Sequence, residues 1–217
     1  MSRAALLASL ALLGGGMWAY SRSSRGLPVV PEVTLDPVFR AVDDAGEFVG
    51  NALNEFLDPD VAAVVAEPNV RAFLSMIRRA EHGRDDPDVY YTSFGNQHFL
   101  ELDTHPAIRT YGEWLRPGVQ DFTTAAGAYQ ITHTTWKRLA AKLGLTGFDQ
   151  FTQDVMAVEL VREAGALRAV RAGRLSDALA MVAPIWASLP GAPYPTQKQR
   201  SLDYVRQAYT AAGGALA

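Results

Sequence analysis

The sequence contains no cysteine among its 217 residues. This absence excludes disulfide bonds, a thiolate nucleophile and any zinc site built on thiolates. It does not fix the cellular compartment, because a chain without cysteine suits an oxidising and a reducing environment equally.

The sequence also lacks an excess of charge of either sign and the usual metal and nucleotide motifs. Twenty basic and 23 acidic residues give a net charge of −3, so we expect no nucleic-acid partner. The four histidines show no His-Glu-x-x-His spacing, and we expect neither a metal site nor a cofactor. There is no Gly-x-Ser-x-Gly elbow and no phosphate-binding glycine loop.

One long uncharged apolar run is present, at residues 4–20. It is at the short end for a membrane span, and three consecutive glycines (14–16) weaken both its helix propensity and its hydrophobicity. Trp18 and Tyr20 at its end suit a membrane interface. A cleaved signal peptide, a permanent anchor and a weak anchor that leaves the bilayer are all compatible with this run. We favour an uncleaved N-terminal membrane-anchor helix.

The chain then divides into three predicted regions, with the anchor at residues 1–20 as the first. Residues 21–69 form a linker that contains an amphipathic helix at 38–57, and Asn69 is expected to cap the next helix. Residues 70–217 contain enough apolar sequence for one core. The expected fold class is α+β, mainly α, with one small antiparallel β-hairpin.

The hairpin is predicted from two β-prone runs, 89–94 and 98–102, which are joined by Gly95-Asn96-Gln97. A short helix is predicted around 111–115. The remaining sequence predicts helices at 126–143, 150–164 with Asp149 as its cap, 166–172, after Ser176 as a cap, and after a Thr196–Gln199 capping box.

The strongest candidate for chemistry is Glu81. Leu74, Ile77 and Glu81 fall on one face of a predicted helix, so a carboxylate continues an apolar stripe. Gly83 is expected to end this helix. The negative end of the helix dipole and the loss of water would both raise the pKa of Glu81, as a general acid requires. Alternatively, Glu81 is a solvated partner of the neighbouring arginines 78, 79 and 84.

Two further segments suit a sugar ligand. In Thr123-Thr-Ala-Ala-Gly-Ala-Tyr-Gln-Ile, small residues permit close approach to the backbone, and Tyr129 and Gln130 are expected in the first turn of a helix. In Ile185-Trp-Ala-Ser-Leu-Pro-Gly, Trp186 offers a flat aromatic face on an irregular loop. A buried position in the core is the alternative for Trp186.

These segments occur in a recognisable order: Glu81-His-Gly, a hairpin that ends in Asp103-Thr-His-Pro, Ala126-Gly-Ala-Tyr-Gln-Ile, and Ile185-Trp-Ala-Ser-Leu-Pro-Gly. In this order they resemble the lambda-type phage endolysins, which are lysozyme-like lytic transglycosylases, over about residues 70–214. The resemblance implies a lysozyme-like domain that cleaves peptidoglycan between N-acetylmuramic acid and N-acetylglucosamine and leaves a 1,6-anhydro end.

The resemblance also implies roles for individual residues. Glu81 matches the catalytic acid, Tyr129 and Gln130 match a sugar-binding pair, and Trp186 with Ser188 match the far wall of a cleft. The predicted substrate-binding set also includes Gly127, Asp103 and Tyr91. Ala128 stands where the motif commonly has arginine, and residues 107–122 match the family poorly.

Two other functions remain open. A hydrolytic muramidase would need a second carboxylate, for which Asp85, Asp86 and Asp103 are candidates. A membrane-tethered, non-catalytic glycan-binding scaffold would keep the cleft without the chemistry. For each of these functions, including the transglycosylase, the expected location is the inner membrane, with the domain facing the periplasm. If residues 1–20 are cleaved, the expected location is the periplasm itself.

Overall fold

The computed structural model describes residues 61–112, 121–194 and 196–217. The predicted anchor and the predicted helix at 38–57 lie outside the described residues. Among the described residues, no helix is long and apolar enough to cross a membrane.

Seven α-helices, one 3₁₀ helix and four short strands make up the described chain. The α-helices are α1 (Val61–Val64), α2 (Pro68–His82), α3 (His133–Leu143), α4 (Gln150–Glu163), α5 (Leu167–Arg171), α6 (Leu175–Val182) and α7 (Leu202–Ala211). The 3₁₀ helix is Pro87–Tyr91, and the strands are β1 (Thr92–Ser93), β2 (Gln97–His98), β3 (Thr110–Gly112) and β4 (Asp121–Thr123). The α+β, mainly α class is therefore confirmed.

Helix α2 lies at the centre of the fold, because α7, α5 and α4 all pack against it. Its buried residues run from Val70 to Ala80 and leave little of its circumference to water. A helix that is apolar on most sides is stable only inside a core. The core also includes Val64, which lies six residues before residue 70, where the sequence predicts that the domain begins.

The two ends of α2 test two predictions. Gly83 ends the helix as predicted, with φ 74° and its N–H donating to the Arg79 carbonyl at 2.8 Å. The prediction that Asn69 caps the helix is wrong: Glu67 is the N-cap, and Pro68 takes the first position, where its fixed φ suits a helix. Asn69 instead donates to the Arg171 carbonyl at 2.9 Å.

The predicted hairpin is present but shorter. Strands β1 and β2 pair antiparallel, with Thr92 opposite His98 and Ser93 opposite Gln97. The part of the first predicted strand before Thr92 is wrong, because Val89–Tyr91 belong to the 3₁₀ helix. Asp86 caps that helix by accepting from the Asp88 N–H, and this local signal overrides the β propensity of the run.

A second antiparallel pair, β3 with β4, was not predicted. Tyr111 lies opposite Phe122, and their rings are 5.7 Å apart. The short helix predicted around 111–115 is wrong at Tyr111 and Gly112, which are in β3; the rest of it lies outside the described residues.

Helix α3 begins at His133, seven residues later than predicted. Residues 126–131 form a closed turn in which Ala126 and Ile131 exchange two backbone hydrogen bonds of 3.0 and 2.9 Å. Gly127 and Gln130 have φ angles of 75° and 49°, and left-handed residues cannot continue a right-handed helix. Tyr129 and Gln130 therefore lie in this turn and not in a helix.

The last four helices follow the predicted order; α4 begins at Gln150 as predicted, and the other three begin at other residues than predicted. Asp149 caps α4 as predicted, and Phe151 in the first turn of this helix is 54% exposed. Helix α6 begins at Leu175, so Ser176 is not its cap. Helix α7 begins at Leu202 with Ser201 as N-cap.

The predicted capping box at 196–199 is also wrong, because Gln199 has other partners. Its side-chain amide accepts from the Gly191 N–H at 3.2 Å and donates to the Ala192 carbonyl at 2.7 Å. This side chain therefore ties the chain before α7 to the loop that follows Ser188.

Candidate active site

Glu81 lies in the last turn of α2, where the Ser188 hydroxyl donates to its Oε1 at 2.6 Å. Burial, the largest effect, raises the pKa of Glu81 to about 7, although the Ser188 hydrogen bond and the charge of Arg200 both act to lower it. About half of such a carboxyl is protonated at neutral pH. The pKa shift has the direction expected from the sequence.

The neighbouring arginines do not neutralise Glu81. Arg78 pairs with Asp85, and Arg84 pairs with Asp86 at 2.6 Å. Within the described part of the chain, no ion pair includes Glu81. The interpretation of Glu81 as a solvated surface ion pair is therefore wrong.

Ser188 is presented to Glu81 by an anchored loop. Trp186, two residues earlier, is only 1% exposed, and its indole N–H donates to the Tyr129 carbonyl at 3.1 Å. The indole thus has almost no surface to offer to a sugar ring. In this structure it fixes the Ser188 loop to the turn at 126–131.

Tyr129 is completely buried, so its side chain presents no surface to a ligand either. Its hydroxyl donates to Asp154 at 2.5 Å and accepts from Arg78 at 2.6 Å. The Tyr90 hydroxyl donates to the same Asp154 oxygen at 2.8 Å. We call these residues together with Asp85 the Arg78 cluster; its arginine lies on α2, the helix that also carries Glu81.

Sequence reasoning missed Asp154. A signal was available, because Gln153 and Asp154 directly precede the apolar run of α4, and polar residues in a buried part of a helix need partners. Gln153 finds them in the Ala128 N–H at 2.8 Å and the Tyr90 and Phe148 carbonyls at 3.1 and 2.7 Å.

His82, the last residue of α2, connects the end of this helix to Gly127 and Gln130. The Gly127 carbonyl accepts from His82 Nε2 at 3.2 Å and from the Gln130 amide at 3.0 Å. Burial lowers the pKa of His82, so the ring is neutral at neutral pH. Gln130 also donates to the Thr92 carbonyl at 3.0 Å, which joins this turn to β1.

In the ranges of the chain that the structure describes, Asp103 and Tyr91 make no hydrogen bond or ion pair with Glu81. Asp103 is exposed in the loop that follows β2, and the half-buried Tyr91 stacks on His98 with ring centres 5.8 Å apart. Among the residues that the structure describes, no group of histidine, aspartate and glutamate side chains could hold a metal ion.

Two of the three candidates for a second carboxylate are already engaged. Burial alone would raise the pKa of Asp85, but hydrogen bonds from Arg78 and Ser75 outweigh it and leave the pKa below its ordinary value. Asp86 caps the 3₁₀ helix and pairs with Arg84. Of these three aspartates, Asp103 is the exposed one, and it forms no ion pair with any residue that the structure describes.

The family model for Endolysin matches residues 71–216. The endolysin of Escherichia phage P2 is 34% identical over 157 residues, which cover 67% of this chain and 93% of that protein. The endolysin of Escherichia phage lambda is 32% identical over 149 residues, with 66% and 90% covered.

Solved structures of a phage lysozyme have the same fold. The structure of bacteriophage lambda lysozyme complexed with a chitohexasaccharide is 30% identical, with a TM-score of 0.62, and covers 69% of this chain and 97% of its own. A second lambda lysozyme structure gives a TM-score of 0.58 at 28% identity over the same shares.

The helical domain with its small antiparallel sheets, together with its similarity to the phage endolysins and to lambda lysozyme, defines a lysozyme-like enzyme that cleaves peptidoglycan. The chain belongs to the Endolysin family.

Proposed function

We propose that the protein is a lytic transglycosylase that cuts peptidoglycan strands between N-acetylmuramic acid and N-acetylglucosamine. The protonated Glu81 carboxyl donates to the glycosidic oxygen, and the bond from that oxygen to the muramic C1 breaks. The departing sugar keeps the proton as a hydroxyl, and positive charge develops at the muramic C1 in an oxocarbenium-like state.

The second half of the reaction uses the same carboxylate. Ionised Glu81 takes the proton from the C6 hydroxyl of the muramic residue, whose oxygen then bonds to C1 and closes a 1,6-anhydro ring. The proton returns to Glu81, no water is consumed, and one carboxyl group serves as acid and then as base.

The observation that carries this proposal is the environment of Glu81. Its pKa of about 7 lets the group donate and accept a proton near neutral pH. The partner on its carboxyl is the Ser188 hydroxyl, and Asp85 and Asp86 are bound to arginines. A hydrolase with two carboxylates would need one of them about 5–9 Å from Glu81 and free to act.

Product analysis tests the proposal. The full chain in mild detergent is incubated with purified peptidoglycan, and the fragments are analysed by mass spectrometry. We expect 1,6-anhydro muramic ends from the native chain and from Glu101→Gln, a control at an exposed glutamate, and none from Glu81→Gln.

Two results would overturn the proposal. Reducing muramic ends would indicate a hydrolytic muramidase, and Asp103→Asn would then identify the second carboxylate. Glycan binding without any fragments from the folded native chain would indicate the non-catalytic scaffold.

We also propose that residues 4–20 hold the chain at the inner membrane with the enzyme domain in the periplasm. The support is the uncharged run with its interfacial Trp18 and Tyr20. Replacing the three glycines at 14–16 by leucine should increase the membrane-bound fraction and delay lysis. Unchanged fractionation and unchanged lysis timing would contradict a weak anchor.

A further inference from the structure

Arg200, in the chain between the Ser188 loop and α7, contacts both sides of the candidate active site. Its backbone N–H donates to the Ser188 carbonyl at 2.7 Å. Its side-chain Nε–H donates to the Ala80 carbonyl at 2.9 Å. One residue thus joins the residue next to Glu81 and the residue whose hydroxyl binds Glu81.

The contact with Ala80 completes the end of α2. The last carbonyls of a helix have no partner within the helix, and the helix dipole makes this end negative. Arg200 supplies a cation and a donor to the Ala80 carbonyl. Tyr204, whose ring lies 5.0 Å from the Arg200 guanidinium, donates from its hydroxyl to the Arg79 carbonyl at 3.0 Å.

The contact with Ser188 orients the residue whose hydroxyl donates to Glu81. The Ser188 carbonyl is held by the Arg200 N–H while the Ser188 hydroxyl donates to Glu81. The same loop is fixed from the far side by the indole of Trp186. Arg200 is therefore the residue that links the two partners of the Ser188–Glu81 hydrogen bond.

Arg200 is also the charged side chain that acts on Glu81, and its charge opposes the effect of burial on the pKa of that carboxyl. Groups on the other packed elements face elsewhere. On α4, Asp154 faces Arg78; on α5, Arg171 pairs with Glu67 at the opposite end of α2; and on α7, Tyr204 binds the Arg79 carbonyl. On the helix end itself, the neutral His82 faces Gly127.

We propose that Arg200 is a positioning residue of this active site: it ties the end of α2 to the Ser188 loop and places a fixed positive charge beside Glu81. Its effect on catalysis rests on the proposed function of Glu81. Its effect on the protonation of Glu81 does not, and the two are measured separately.

The test compares Arg200→Gln, Arg200→Lys and the native full chain, with Arg206→Gln as a control at an exposed arginine of α7. The Glu81 carboxyl is titrated by ¹³C NMR, with Glu81→Gln to assign the signal, and cleavage of peptidoglycan is measured across the same pH range. Arg200→Gln should move the NMR midpoint upward by at least about 0.5 pH unit, because an opposite charge is removed. The high-pH limb of activity should move with it.

Arg200→Lys separates charge from geometry. It should keep the midpoint near the native value but lower kcat at least about threefold, because lysine has no donor at the Nε position that binds the Ala80 carbonyl. The proposal is overturned if folded Arg200→Gln and Arg206→Gln titrate alike, or, should Arg200→Gln not fold, if Arg200→Lys matches the native chain in kcat. If Arg200→Gln shifts the NMR midpoint but leaves the pH dependence of cleavage unchanged, the proposed function of Glu81 is refuted. The effect of the Arg200 charge on the protonation of Glu81 would still hold.

Discussion

The Ser188 hydroxyl donates to Glu81 Oε1 at 2.6 Å across 107 residues of sequence. This hydrogen bond is made to a carboxyl whose burial raises its pKa to about 7. Ser188 favours the ionised form, whereas burial favours the neutral one. The balance leaves Glu81 able to exchange a proton near neutral pH.

Replacing Ser188 by alanine should raise the pKa of Glu81, because one of the two interactions that lower it is lost. A general acid works while protonated, so the high-pH limb of activity should move to higher pH, with a lower maximum rate because Glu81 loses its orienting partner. The measurement is peptidoglycan cleavage between pH 5 and 9, with the exposed Ser176→Ala on α6 as control. An unchanged limb would show that Ser188 does not act on the acid.

Glu81→Gln should stabilise the fold at high pH. The folded pKa is raised from 4.5 to about 7, so the native state loses stability relative to the unfolded state as pH rises through that interval. At 1.36 kcal/mol per pKa unit the loss reaches up to about 3 kcal/mol. Denaturant unfolding at pH 4 and pH 8.5 should show Glu81→Gln more stable than the native chain only at pH 8.5. An equal difference at both pH values would contradict the raised pKa.

Gly127→Ala should destabilise the turn next to the active site. A Cβ at Gly127 would overlap Gln153 Oε1 and lie 2.7 Å from Gln153 Cδ, in a buried site. Gly165 has a similar φ of 72° but open space around it, so Gly165→Ala carries the backbone strain alone. We expect Gly127→Ala to lower the free energy of unfolding by about 1–3 kcal/mol more than Gly165→Ala does. Equal losses in thermal or urea unfolding would mean that the turn yields to the methyl group.

Tyr129→Phe distinguishes support from sugar binding. The hydroxyl of Tyr129 is buried against Asp154 and Arg78, so its removal should cost about 1–3 kcal/mol of stability. Because the side chain is not exposed, KM should stay within about twofold of the native value, a difference below about 0.5 kcal/mol in binding. Tyr90→Phe, which removes the other hydroxyl bound to Asp154, is the matched control. A raised KM in Tyr129→Phe alone would restore the sugar-binding role.

The local features of α2 were predictable. Leu74 and Ile77 are buried as their spacing indicates, and the carboxyl group that continues their stripe has a raised pKa. The glycine that ends the helix has a strong local cause, since it adopts a positive φ. Periodicity and end signals act over a few residues, and sequence alone carries them.

The partners of Glu81 were harder to predict, because they depend on contacts that sequence spacing does not encode. Nothing local distinguishes Arg200 from the chain's other arginines; its role arises when α7 packs on α2. The sequence identified the segments that contain Trp186 and Tyr129. It did not show that both rings lie inside the core and present no surface to a ligand. The turn at 126–131 appeared helical because its alanines favour helix, while Gly127 and Gln130 in left-handed conformation prevent it.

The proposed role of Glu81 as a general acid depends first on its pKa in the native full chain. The protein is labelled with ¹³C at glutamate carboxyl carbons, and the Glu81 signal, assigned by its absence in Glu81→Gln, is followed from pH 3 to pH 9. We expect a midpoint near 7, because burial raises the pKa of this carboxyl group. A midpoint at the ordinary value of 4.5 would contradict the proposed role, because Glu81 would then be ionised at neutral pH and unable to start the reaction as an acid.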